Sequence, residues 1–386
     1  MSTASIPVPS ERRAAFDAAI ILVIGMGFGR FAYTAVYPLM VDEGLLSLRQ
    51  GSWAASANYA GYLLGAILGI RLRANNAHRL CLGSVVGSVL CLGLLAVLSA
   101  PGIVIAVRGV AGVFSSLAMI SASVWLLEHR RHFRGAPWLY AGVGIGIALS
   151  AELLVFGSYV GLQSHGLWLL LAAASLLFGL WAAPGLTAGG SATLATRSSS
   201  GGGGGGTVKP EIHAWSLTVI YGLAGFGYIV TATYLPLLVK TALPDANSAH
   251  VWAVFGLGAA PSCLLWHRVD QRFGTRTSLL INLLVQAIGV VLPVAVQNAA
   301  GYLISALLVG ATFMGTVTIA MPAAQRIAKA SGSNLMAKMT VVYGVGQIAG
   351  PLVANGFYAH THSFSWSLVA AAAALVFGAL ASIFAP

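Results

Sequence analysis

The sequence predicts an all-α integral membrane protein with twelve transmembrane helices in two pseudo-symmetric six-helix bundles. Three observations predict it. The chain has 386 residues, of which 58% are hydrophobic and only 8% charged, a balance that soluble domains do not show. Apolar stretches long enough to cross a bilayer follow one another along nearly the whole chain. Part of the first stretch also returns in the seventh. Gly27-Phe28-Gly29 matches Gly225-Phe226-Gly227 at an offset of 198 (225 − 27), and Pro38, Leu39 and Val41 match Pro236, Leu237 and Val239.

The first six spans fall at about 16–40, 51–70, 79–99, 102–127, 137–157 and 165–183. The second six fall at about 214–239, 249–267, 277–297, 300–322, 335–358 and 364–384. Residues 1–185 and 213–386 are then the two bundles, and 186–212, rich in Gly and Ser with six glycines at Gly201–Gly206, is a flexible linker. A second pair of matches, Gly142-Val143-Gly144 with Gly344-Val345-Gly346, has an offset of 202 (344 − 142). Two matches at nearly one offset describe parallel repeats, with a solute site expected between them.

The net charge of +11 follows from membrane topology and does not require nucleic acid. With the N-terminus in the cytoplasm, sixteen of the twenty Lys and Arg fall on inner segments, from Arg12 to Lys338. Only Arg49 and Lys240 lie outside, and Arg30 and Arg108 lie within helices. This positive-inside pattern puts both termini in the cytoplasm. The basic Glu128–Arg134 run reads as a topology determinant against anionic lipid. The N-terminal segment lacks the short apolar core of a signal peptide, so the first helix is expected to remain. Cys81, Cys91 and Cys263 sit in apolar helices without metal spacing, and His360-Thr-His362 is too sparse a pair to make a metal site.

Ionisable groups inside spans carry the functional reading. Arg30 lies fourteen residues into the first run, roughly 21 Å along a helix. A guanidinium there costs about 3 kcal/mol or more unless it faces water or a partner. Val23, Gly27, Arg30, Thr34 and Tyr37 share one face, so the charge belongs to a small and polar stripe. Arg30 either faces a central cavity or anchors one helix to backbone carbonyls of another. Its repeat equivalent is Tyr228. Glu152 is read as the carboxylate inside a helix. It is a candidate proton carrier, with a fixed ion pair to Arg30 or Arg108, or a place near the outer water, as alternatives. Asp17 reads as a helix-start residue favoured by the dipole.

GFGRFAYT (27–34) with YPLM (37–40), and Leu46–Ala66, resemble the bacterial YbfB/YjiJ-type branch of the major facilitator superfamily. Arg108-Gly-Val-Ala-Gly112 is similar to that superfamily's R-x-x-x-G element. Asp270-Gln-Arg272-Phe-Gly274-Thr-Arg276 is similar to its cytoplasmic loop motif, with the acid one position early. Gly350-Pro351 resembles half of an exporter element, but Leu149 stands where the other half would have proline. The resemblance implies the major facilitator fold and a cytoplasmic gate at Asp270, Arg272, Gly274 and Arg276. It implies a monomeric secondary transporter, not an enzyme, without cofactor or metal. The expected mechanism is alternating access with proton coupling, acting on a small organic solute that is anionic or amphiphilic. Arg30, Tyr33, Thr34, Tyr37, Asn58, Tyr62, Arg108, Tyr228 and Gln347 are the expected solute contacts. A non-transporting solute sensor is the competing class, and within transporters export competes with import.

Overall fold

The computed structural model describes residues 10–70, 72, 74–188, 212–243, 247–331 and 335–384. Residues 189–211 of the linker, with Gly201–Gly206, Arg197 and Lys209, lie outside the described residues, as do Arg71, Arg73 and the 244–246 part of the outer loop.

Three of the first helices start where local chemistry satisfies free N–H groups or needs no partner. Helix α1 spans Glu11–Asp42, and the Ser10 hydroxyl accepts from the Arg13 N–H at its start. Helix α2, Leu48–Gly69, opens with a capping box in which Ser47 and Gln50 bond each other's backbone. Helix α3 is Ala77–Val97. Helix α4, Pro101–His129, begins at a proline whose missing N–H costs nothing there. Helices α5 (Ala136–Tyr159), α6 (Ser164–Ala188) and α7 (Ala214–Ala242) follow. The stretch Ala249–Ala295 is interrupted at Gly274, with φ 76° and ψ 167°. That conformation is essentially restricted to glycine, and it divides the stretch into α8 (249–273) and α9 (275–295). Helices α10 (Ala299–Ser331), α11 (Leu335–Thr361) and α12 (Ser365–Phe384) complete the order.

Nine helical stretches among the described residues are long and apolar enough to cross a membrane. Helices α2 and α11 are long enough but are not in that group. Each carries polar residues inward: Asn58 and Tyr62 on α2, Tyr343 and Gln347 on α11. The most apolar windows of α1 and α7 are 89% and 83% buried, against 33–61% for the other seven. The helices related by the repeat are therefore the innermost ones, and the rest turn apolar sides such as Leu68, Leu90, Leu177 and Phe377 outward.

Helices α1–α6 pack on one another, and so do α7–α12; the two sets meet along α5–α8, α2–α11 and α1–α7. Small residues make the closest approaches. A Cβ at Gly144 of α5 would lie 2.6 Å from the carbonyl oxygen of Gly256 on α8, and one at Gly256 would lie 2.6 Å from that of Gly144. Within each set small residues also bring helices together: Gly146 of α5 packs on Val23 and Gly27 of α1, and Gly346 of α11 packs on Gly222 and Phe226 of α7. Thr34 donates its hydroxyl to the carbonyl of Ala232 at 2.8 Å, a residue 198 positions away. That separation equals the repeat offset, so equivalent positions of α1 and α7 touch each other.

Candidate functional site

Helix α1 is not regular. Val23–Phe31 winds as a π-helix, with the N–H of Ala32 donating to the carbonyl of Gly27 five residues back. Such segments within α-helices are frequent at functional sites. The carbonyls of Gly29, Arg30 and Phe31 are all taken by side chains of other helices. Arg108 of α4 donates Nη1 to Gly29 and Nη2 to Arg30, both at 3.0 Å. Trp252 of α8 donates Nε1 to Phe31 at 3.0 Å. The Arg108 guanidinium also stands over the Tyr33 ring, 4.4 Å from its centroid, and Asn58 donates to the Arg108 carbonyl at 2.9 Å. Arg108 is therefore occupied in fixing the backbone that presents Arg30.

The Arg30 side chain is only 3% exposed. Its guanidinium lies over the Tyr62 ring at 3.9 Å and within 5.2 Å of the Tyr59 and Phe31 ring centroids. Its Nε and Nη1 have no hydrogen-bond partner. It faces a cavity of about 680 Å³ between the two helix sets, a size typical of small-molecule sites. The first set contributes Arg30, Tyr62, Met119 and Tyr140, and the second contributes Tyr221, Tyr228, Phe313, Tyr343 and Gln347. From Arg30 the cavity runs toward the ends of α2, α5, α8, α10 and α11, where Ile70, Pro137, His267, Pro322 and Thr340 line it. Those ends adjoin the basic segments, and Ile70 and His267 are exposed there. Among the described residues the lining has no Asp or Glu, and Arg30 is its one guanidinium.

Past Arg30, toward the other end, the two sets are joined. Tyr59 and Thr233 share a hydroxyl hydrogen bond at 3.0 Å, Ser52 and Tyr234 another at 2.7 Å, and Ser56 donates to the Ile348 carbonyl at 3.0 Å. Asp42 pairs with Lys240 across α1 and α7, and Glu152 pairs with His250 across α5 and α8 at 3.1 Å.

The structure thus brings Arg30, Tyr62, Tyr228 and Gln347 together in the cavity and places the other expected contacts elsewhere. Thr34 lies in the joined end. Tyr33 and Tyr37 donate to the Gly51 and Leu48 carbonyls at 3.0 and 2.9 Å, and so lock α1 to the start of α2. Asn58 and Arg108 hold each other and α1. Glu152 also needs correction. It is half exposed, its partner is His250, and it lies with neither buried arginine. The buried carboxylate is Asp17, fully enclosed, ion-paired with Arg13 at 2.9 Å and packed where Gly185 of α6 leaves room.

Asp270, Arg272, Gly274 and Arg276 surround the α8–α9 break. Thr275 donates to Asp270 at 3.2 Å, Arg326 of α10 donates to Thr275 at 3.0 Å, and Ser382 of α12 donates to the Arg276 carbonyl at 3.4 Å. The sequence reading passed over Tyr343 and Phe313 as lining residues. Tyr343 opens the Gly344–Gly346 repeat element, a signal that was available, whereas Phe313 stands in an ordinary apolar run.

No curated protein matches the chain. The family described as uncharacterised MFS-type transporter YbfB matches residues 22–383. A match over nearly the whole sequence joins the helical architecture and the cavity between the helix sets to one conclusion: this is a multi-pass membrane protein, and it belongs to the YbfB-type family of major facilitator transporters.

Proposed function

We propose that the chain is a secondary active transporter of a small organic solute in a bacterial inner membrane. It has twelve spans in two six-helix bundles, α1–α6 and α7–α12, and its state here is open to the cytoplasm. The observation that carries the proposal is the cavity with Arg30 at its blind end: it reaches the basic side and is closed at the other by contacts between the bundles. The contact between Thr34 and Ala232, equivalent positions of the repeat, is what a two-fold axis between rocking halves requires. Alternation would release the outer contacts and close the inner mouth, where the Asp270–Arg276 turn serves as gate.

Coupling to protons runs through Glu152 by way of His250, not through an arginine. Both side chains are about half exposed (52% and 54%), so the pair adds little to stability. The pair bridges α5 and α8 at the closed outer end. Among the described residues the other charged groups at this end are Arg49, Asp42 with Lys240, and Glu43, which accepts from the Ser164 hydroxyl and N–H. In reconstituted vesicles, Glu152→Gln is expected to retain solute exchange and to lose accumulation under an imposed pH gradient. Undiminished accumulation by this variant would refute the coupling route, and absence of any flux for a solute that binds would refute transport.

A further inference from the structure

We propose that the solute is a singly charged organic anion with a flat, unsaturated body, an aromatic monocarboxylate in chemical class. The inference rests on the cavity between the bundles being the transport site. Arg30 is almost fully buried, yet two of its three nitrogens lack any partner. A desolvated guanidinium left in that condition is costly, and a carboxylate relieves it through charge-assisted hydrogen bonds. The Tyr62 ring covers the face of the guanidinium at 3.9 Å and leaves its N–H edge for the ligand.

Charge arithmetic sets the valence. Among the described residues the lining holds one guanidinium and no carboxylate. The neighbouring Arg108 is committed to the carbonyls of Gly29 and Arg30. A dianion would find one guanidinium within hydrogen-bond reach, since Arg108 is turned to the carbonyls and acts on the cavity only at a distance, and a cation would meet repulsion from both. The second bundle sets the shape. Tyr221, Tyr343, Tyr228 and Phe313 form a run of nearly parallel rings, with successive planes 27°, 21° and 22° apart and centroids at 4.4, 6.0 and 5.3 Å. Such a run gives a flat apolar body ring surfaces to stack on. Beside it, Gln347 donates Nε2 to the Tyr228 hydroxyl, and its Oε1 has no partner. That buried acceptor suits a ligand carrying a hydroxyl or N–H as well.

The test is binding to purified protein with benzoate, 4-hydroxybenzoate, phenylacetate and indole-3-acetate, against benzyl alcohol, benzylamine and the dianion phthalate. Saturable binding of the four monoacids is expected, weakened roughly 10- to 100-fold in Arg30→Gln, with benzyl alcohol indifferent to that change. Tyr343→Ala, which leaves the charge in place, is expected to weaken indole-3-acetate more than benzoate and serves if Arg30→Gln fails to fold. Binding of none of the four acids, equal binding by Arg30→Gln, or tighter binding of benzylamine or phthalate overturns the assignment. Vesicle flux separates the two readings. Arg30-dependent binding of acids that never cross would sink transport and leave the ligand class standing. Flux of benzylamine without acid binding would do the reverse.

Discussion

Two arginines inside the bundle have opposite duties, and hydrogen bonding distinguishes them. Arg30 lines the cavity and has two buried nitrogens without a hydrogen-bond partner. Arg108 has both terminal nitrogens on carbonyls and a tyrosine ring against its face. Arg108→Lys keeps the charge but cannot place two donors in a fixed fork. It is expected to lower stability by about 2 kcal/mol and to weaken solute binding, since the π segment that aims Arg30 loosens. Thermal unfolding in detergent and ligand titration check the two effects together. Unchanged stability with altered binding would instead make Arg108 a direct contact. The sequence exposed Arg30 because a charge at that depth stands out. It could not separate the roles of the two, because depth along a helix is legible while the groups facing a side chain are not. Glu152 and Asp17 exchanged places for the same reason: hydropathy marked the span, whereas Arg13 one turn away and the missing side chain of Gly185 decide which carboxylate is enclosed.

Helices α5 and α8 cross between the two sets with backbone against backbone, and Gly144 and Gly256 permit it. Gly256→Val would push a branched side chain toward the Gly144 carbonyl and wedge the sets apart. The expected outcome is a shift away from the cytoplasm-open state, with slower flux. Alkylation of Ser52→Cys, in a background with the three native cysteines replaced, should accelerate. If labelling stays unchanged in protein that elutes as a folded species, the α5–α8 contact does not control the outer closure. The spacing of Gly142-Val143-Gly144 against Gly344-Val345-Gly346 announced that these segments are paired by the repeat. Nothing in that spacing distinguished the residue that packs within its own set, Gly346, from the one that packs on the opposite set, Gly144. The π winding of Val23–Phe31 was equally hidden, because it depends on acceptors supplied to Arg108 and Trp252 from far along the chain.

For the molecule as a whole, composition and span spacing anticipated an all-helical membrane protein, and the resemblance carried by residues 27–40 and Leu46–Ala66 anticipated the family now matched. The state of the cavity was outside their reach, because it depends on which contacts between the two sets are made. One feature of that cavity has an electrical consequence. Arg30 sits deep between the sets, and the lining offers no acid to neutralise it. If transport runs as proposed, the empty carrier takes the charge of Arg30 through part of the membrane field each time it turns over, and a bound monoanion cancels that contribution while the charge of Arg108 stays as it was. A full charge moving through 100 mV exchanges about 2.3 kcal/mol with the field. An inside-negative potential then holds the empty carrier facing the cytoplasm and resists its outward return. The rate of uptake would fall as the membrane hyperpolarises, and release of the anion to the outside would be helped. Transient currents on a supported membrane should show this charge displacement in solute-free wild type, lose it at saturating benzoate, and lack it in Arg30→Gln. A displacement of equal size in Arg30→Gln would place the moving charge elsewhere in the protein.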